Sequence, residues 1–272
     1  MRKGVMMTAA DFSLTVLGSR GSMAFCGEGC AHFGGDSSCY MVRAGEETVF
    51  LDAGTGLSAA PADYPKSPAI LLSHLHLDHL IGLGVFPGLS STYTHTRVYV
   101  PFCADRRAAE ECLGRVFAPP FWPLRLTEYA SRPELLPLPD SFSTGELSID
   151  AIPGNHPGGC MVFRLRYRGK TIIYATDYEY EAQSFVRLVD FSKNADLLLF
   201  DAQYTEDELI TKAGFGHASA ALGMKLMALS GAKRLLLIHH DPHSHDPILD
   251  AREKLLAKVN ISYARTGQCF YL

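Results

Sequence analysis

Ala69-Ile70-Leu71-Leu72-Ser73-His74-Leu75-His76-Leu77-Asp78-His79 places three imidazoles and a carboxylate within six positions, directly after an apolar run. The run reads as a buried strand. Imidazole and carboxylate donors together suit Zn²⁺, Mn²⁺ or Fe²⁺. His74 and His76 leave the strand end two residues apart and so point to the same side. Asp78 and His79 fall where the chain turns into a helix and can reach a second ion. One segment thus feeds two metals. The competing reading is a surface histidine run that binds nothing, but such a run belongs in a polar loop, not at the end of a buried strand.

Three isolated groups follow in order. His156 stands in Ile152-Pro-Gly-Asn-His156-Pro-Gly-Gly, Asp177 ends Thr171-Ile-Ile-Tyr-Ala-Thr-Asp177, and His239 ends Arg234-Leu-Leu-Leu-Ile-His239. With HxHxDH ahead of them, they resemble the signature of the metallo-β-lactamase superfamily, from about Leu14 to the C-terminus. The resemblance implies an α/β (α+β) chain folded as one four-layer αββα sandwich. It also implies a centre of two divalent ions, Zn²⁺ by default, with Mn²⁺ or Fe²⁺ as alternatives. His74, His76 and His156 would bind the first ion, and Asp78, His79 and His239 the second. Asp177 would bridge them, since a carboxylate can span ions ~3.5–4 Å apart.

Asp52, in Leu51-Asp-Ala-Gly-Thr-Gly56, matches the family's first motif, where an Asp supports the ligands from behind. Metal-bound His commonly donates its other N–H to a carboxylate. The plainer reading of Asp52 is a turn residue ahead of Gly54. His240 competes with His239, but neighbours on a strand face opposite ways. The family pattern favours His239, which leaves His240, Asp241, His243 and His245 either lining the rim or forming a solvated polar loop.

Asp201 closes the strand Asp196-Leu-Leu-Leu-Phe-Asp201, and Gly216-His217-Ala-Ser219 is read as opening a helix. In ribonuclease Z and related phosphodiesterases an acidic residue pairs with such a His. That resemblance gives Asp201 the orienting role and makes His217 the acid that protonates a departing alkoxide, placed at a helix end where phosphate is welcome. Asp78 joins them as a catalytic candidate. Two ions sharing a water would lower its pKa towards neutrality, so that a bridging hydroxide attacks phosphorus.

The expected substrate is a small or cyclic nucleotide-type phosphodiester. Gly18-Ser-Arg-Gly-Ser22, Gly34-Gly-Asp-Ser-Ser-Cys39 and His239-His-Asp-Pro242 are similar to bacterial proteins grouped with cyclic-nucleotide phosphodiesterases. A lactonase or thioesterase uses the same ligands and is the main rival. A tRNA 3′-processing endonuclease is less favoured, because only 20 residues separate His156 from Asp177, where such enzymes carry a long arm. A metal-stabilised scaffold would need a closed four-ligand site, not seven ligands over two ions. Asp177 where a true β-lactamase carries Cys argues against that activity.

Net charge −4 argues against stable nucleic-acid binding, and a homodimer is compatible with the pattern. The seven Cys, an odd number at uneven spacing, read as reduced thiols, not a disulfide framework. Cys26-x3-Cys30-x-His32 lacks a fourth ligand and reads as a loop with free thiols. Residues 1–12 are expected to be a flexible leader without a secretory h-region, and 13–272 one hydrolase domain. No apolar run approaches the ~18 residues of a membrane span, so the expected location is cytoplasmic. Phe117-Ala-Pro-Pro-Phe121-Trp122-Pro-Leu124 is either a lid or stacking platform for a base, or internal packing.

Short strands are expected at Ser13–Leu17, Ser38–Arg43, Thr48–Asp52, Ala69–Ser73, Arg97–Pro101, Leu147–Ile152, Met161–Tyr167, Thr171–Ala175, Asp196–Phe200 and Arg234–Ile238. Helices are expected at Ala104–Val116, Glu181–Val189, Ala218–Ser230 and Pro247–Lys258.

Overall fold

In the computed structural model, residues 11–61, 64–256 and 260–272 are described, and their strands form two seven-stranded sheets. The first sheet holds β1 (Phe12–Gly18), β2 (Cys39–Ala44), β3 (Glu47–Leu51), β4 (Ala69–Leu71), β5 (Arg97–Val100) and β6 (Glu134–Pro137) in that spatial order. The second holds β7 (Ser141–Thr144), β8 (Leu147–Gly154), β9 (Cys160–Tyr167), β10 (Lys170–Ala175), β11 (Leu197–Asp201), β12 (Leu235–Ile238) and β13 (Ile261–Tyr263). β14 (Cys269–Tyr271) returns to the first sheet and pairs with β1.

Alternation along each strand divides its side chains between cores. Leu14 and Val16 of β1, Val49 and Leu51 of β3, Leu165 of β9, Tyr174 of β10 and Leu199 of β11 meet in the layer between the sheets. Their neighbours turn outward. Phe50 and Ile70 pack beneath α1 (Arg106–Leu113) and a series of 3₁₀ turns. Ile173, Leu198 and Leu235 pack beneath α2 (Ala182–Phe191), α4 (Ala220–Ser230) and α5 (Asp246–Leu256). Central strands are therefore apolar on both faces, which is why they read as continuous hydrophobic runs. Each fully buried Leu contributes about 1.5–3 kcal/mol. A short α3 (Glu206–Thr211) lies on the surface.

All ten expected strands and four expected helices are present, and four strands and α3 are additions. β14 is largely exposed and β6 ends in proline, so neither carries a strong apolar signal. α1 is shorter than expected, because Asp105 caps it by accepting from the Ala108 N–H at 2.8 Å. The expected leader falls mostly on residues 1–10, outside the described residues, and Phe12 already belongs to β1. The expected end of the last helix at Lys258 is likewise outside them. No helix among the described residues is long and apolar enough to cross a membrane.

Strand direction positions the site. β3 to β6 run parallel, as do β10 to β13. β9 is antiparallel to both β8 and β10, so β8 points the same way as β10. The carboxyl ends of β3, β4, β8, β10, β11 and β12 are followed by Asp52, His74, His156, Asp177, the loop after Asp201, and His239.

Candidate metal centre

Leaving a strand and entering the cleft at once requires a sharp turn. Asp52, Asp177 and His239 make it with φ of 60°, 49° and 62°. Non-glycine residues rarely adopt this left-handed region, at a cost of about 1–3 kcal/mol each. Strain of this kind collects where the surrounding structure overdetermines a site.

The expected ligands converge. Asp177 Oδ1 lies 3.3 Å from His239 Nε2, 3.7 Å from His74 Nε2 and 4.0 Å from His156 Nε2, while its Oδ2 is 3.2 Å from His79 Nε2. Asp78 Oδ2 is 3.0 Å from His79 Nε2 and 3.3 Å from His239 Nε2. His76 Nδ1 is 3.2 Å from His156 Nε2. His74, His76 and His156 form one set of donors within 4.8 Å of one another, and Asp78, His79 and His239 form another. Asp177 stands between them and also groups with His74 and His79, or with His217 and His239. Only His76 among these is exposed.

The donor set fits cations. His79 Nε2 faces His239 Nε2 at 3.2 Å, and His74 Nε2 is buried without a hydrogen-bond partner. Facing nitrogen lone pairs are satisfied together only by a proton or a metal between them. Nitrogen and carboxylate donors of this kind suit zinc, manganese or iron.

Most of these rings are anchored from behind through Nδ1. His79 Nδ1 lies 2.7 Å from Asp52 Oδ2. His74 Nδ1 meets Ser73 Oγ at 3.0 Å, and that hydroxyl donates to Asp52 at 2.8 Å. Asp52 is fully buried and also accepts from the Ser73 N–H at 2.6 Å and from Tyr174 Oη at 2.6 Å. His156 Nδ1 is 2.9 Å from the Gly216 carbonyl, whose own N–H is held by Glu179 at 3.0 Å. Such anchors set the tautomer and ring angle of a metal ligand.

Charge follows from this packing. Burial, reinforced by the neighbouring His79, pulls His74 well below the usual imidazole range, and burial lowers His156 as well. Burial alone would raise Asp177 and Asp78, but the imidazoles around them hold both carboxylates well below their usual range. Burial opposes charge on His79 and His239 too, yet the facing carboxylates win and raise both. Metal binding at these rings therefore competes with protons.

Asp201 and His217 meet as expected, with His217 Nδ1 2.9 Å from Asp201 Oδ2 and 3.8 Å from Asp177 Oδ1. The helix placement is corrected. α4 begins at Ala220, capped by Ser219, so His217 lies two residues ahead of the cap and does not share the helix end. The cause is the bridge between Tyr204 and Ser219, which keeps 217–219 extended beside the loop after β11.

His240 points away from the cleft and donates from Nε2 to the Ala264 carbonyl at 2.8 Å. Burial holds it neutral, down to about 3. His240, Asp241 and Ser244 are buried, against the solvated-loop expectation, whereas His243 is exposed in keeping with it. The fully buried Arg20 ties this loop down by donating to the Ser244 carbonyl at 2.6 Å and to Gly34 at 2.8 Å. Of the Phe117–Trp122 loop, Phe117 is buried and Trp122 Nε1 donates to Tyr129 Oη at 2.8 Å, so both serve packing; Phe121 is exposed. The cysteines are free, and among the described residues Cys26, Cys30 and His32 form no metal-sized group.

Ser22, Tyr174, Glu179 and Gln203 were not foreseen. The Ser22 backbone N–H donates to Asp78 Oδ2 at 2.8 Å, a backbone role with no residue signature. The site opens on a cavity of about 310 Å³, lined among the described residues by Ser22, Leu77, His217 and the expected ligands His76, Asp78, Asp177 and His239.

Residues 47–240 match the sequence profile of the family described as the Beta-lactamase superfamily domain. The probable metallo-hydrolase YhfI of Bacillus subtilis (strain 168) is 25% identical over 262 residues, spanning 92% of this chain and 96% of that protein. Its crystal structure matches with a TM-score of 0.73 at 20% identity, over 95% of this chain and 98% of that one. The short form of human tRNase Z matches with a TM-score of 0.68 at 17% identity, over 95% and 98%. A diphosphatase from the PhnP family gives 0.68 at 18%, over 95% and 96%. At these identities the solved structures share the fold.

Proposed function

This chain belongs to the β-lactamase superfamily, and from that membership we propose that it is a dinuclear-metal-dependent hydrolase, a phosphodiesterase for a small or cyclic nucleotide-type diester. His74, His76 and His156 would hold one ion, Asp78, His79 and His239 the other, with Asp177 shared. Two such ions supply an activated water and neutralise charge on the non-bridging phosphoryl oxygens.

The observation that carries the phosphodiester assignment is the Asp201–His217 pair, 2.9 Å apart, with His217 at the cavity wall and Asp201 buried behind it. Asp201 occupies Nδ1 and is itself fixed by the N–H groups of Tyr178 and Gln203 at 3.2 and 2.9 Å. Nε2 of His217 is then the nitrogen left for substrate, and it delivers a proton to the departing alkoxide. An ester or thioester needs that proton less, since its leaving group is less basic.

Cavity size and charge support a small substrate. About 310 Å³ lies at the lower end of small-ligand sites, and no Lys or Arg among the described residues lines it. The whole interval between His156 and Asp177 is taken by the β9–β10 hairpin and its short flanks, which leaves no arm there to grip tRNA. A PhnP-family diphosphatase and a tRNase Z share the fold, so phosphoryl chemistry suits this architecture.

The test is a hydrolysis panel with Zn²⁺- and Mn²⁺-loaded protein on bis(p-nitrophenyl) phosphate, 2′,3′- and 3′,5′-cyclic nucleotides, a homoserine lactone and a precursor tRNA. Turnover of small diesters supports the assignment. Turnover of the lactone alone overturns it.

A further inference from the structure

Four of the rings in the cleft are braced at Nδ1, by Ser73, Asp52, the Gly216 carbonyl and Asp201. His239 is the exception among the buried rings, while the exposed His76 turns its Nδ1 to His156. The Nε2 of His239 faces Asp78 and Asp177, yet its Nδ1 is buried and has no hydrogen-bond partner. A second orphan lies nearby: Oε1 of Gln203, a buried side chain, is also without a partner.

Both atoms border the same small gap. A methyl group built on Gly21 would lie 2.3 Å from His239 Nδ1 and 2.8 Å from Gln203 Oε1. Glycine at position 21 therefore keeps open the space across which the ring and the amide face each other. The amide is otherwise held in place. Its Nε2 donates to Ser22 Oγ at 3.2 Å and to Tyr204 Oη at 3.1 Å, and the Gln203 N–H donates to Asp201 at 2.9 Å. With both amide protons engaged, the carbonyl oxygen is the end turned towards His239.

We infer that Gln203 is a positioning residue for the metal centre, accepting the Nδ1–H of His239 so that Nε2 presents its lone pair to the ion. An imidazole that ligates through Nε2 must carry its proton on Nδ1, and a buried N–H without an acceptor costs about 1–3 kcal/mol. Gln203 supplies a neutral acceptor bordering that gap. Its side chain reaches Ser22, whose N–H holds Asp78, and its backbone N–H reaches Asp201, which holds His217, so the residue links both halves of the cleft. The inference rests on His239 being a ligand, as proposed above.

Gln203→Leu and Gln203→Glu decide it. Loaded proteins are titrated with a chelator, and the tautomer of His239 is read from its ring ¹⁵N shifts in the metal-free proteins. Gln203→Leu, which removes the acceptor, is expected to weaken one of two metal equivalents by about 10–100-fold and to scramble the tautomer. Gln203→Glu, which keeps an acceptor, is expected to hold metal within a few-fold of wild type with Nδ1 protonated. Wild-type affinity in Gln203→Leu, or equal loss in both variants, overturns the inference. Should Gln203→Leu not fold, Gln203→Glu alone decides by retention or loss of metal. A wild-type protein that binds no stoichiometric metal sinks the centre itself and is a separate result.

Discussion

The two sheets equip the cleft in different ways. The first delivers Asp52, His74, His76, Asp78 and His79 within 28 consecutive positions, four of them from one turn after β4. The second delivers His156, Asp177, Asp201, His217 and His239 from separate loops spread over 84 positions. The first group is also the more deeply braced, through the Asp52 network of Ser73, His79 and Tyr174. The second group closes on it only when the sheets pack. One side is a preformed cradle, and the other is assembled by tertiary structure.

The largest effect is expected at Asp177, the residue that touches both sides. Asp177→Ala should release both metals and lower diester hydrolysis by more than the ~10²–10³-fold typical of losing one electrostatic group. Metal analysis after gel filtration and rates on a small diester check it. Retention of both ions would break the picture of a shared carboxylate.

Asp52→Ala tests the cradle. It strands the buried Ser73 N–H, Tyr174 Oη and His79 Nδ1, so stability should fall by about 3–5 kcal/mol. Urea unfolding measures this, and a loss under 1 kcal/mol would show that the first sheet's side is no better braced than the second's.

His217→Ala tests the assembled side. The rate on a diester with a basic alkoxide leaving group should drop by about 10²-fold or more, with metal content and fold retained. On a p-nitrophenyl diester, whose leaving group needs no proton, the drop should be much smaller. Equal drops on both would remove the acid role.

The smallest effect at neutral pH lies just behind the cleft, at His240. Burial depresses it from 6.5 to about 3. A base depressed in the folded state favours folding above its ordinary value and loses that contribution as pH falls from about 6.5 towards 3. In that window wild type should lose up to about 1.4 kcal/mol per pH unit relative to His240→Gln. Urea midpoints at pH 7, 6, 5 and 4 report the difference, and parallel curves would rule the titration out.

Where the chain's own pattern sufficed, the signal was local. Short apolar runs located ten strands, and HxHxDH after β4 marked the cradle, because apolar runs and metal-donor spacing are properties of neighbours in sequence. The later His156, Asp177 and His239 were legible only through their order behind that motif. Tertiary structure decided the rest: the Asp201–His217 contact across 16 positions, the N–H of Ser22 on Asp78 across 56, and Gln203 beside His239. It also set the strained φ of Asp52, Asp177 and His239, and moved the start of α4 past His217. Such contacts depend on how two sheets register and pack, and no stretch of sequence carries that distance information by itself.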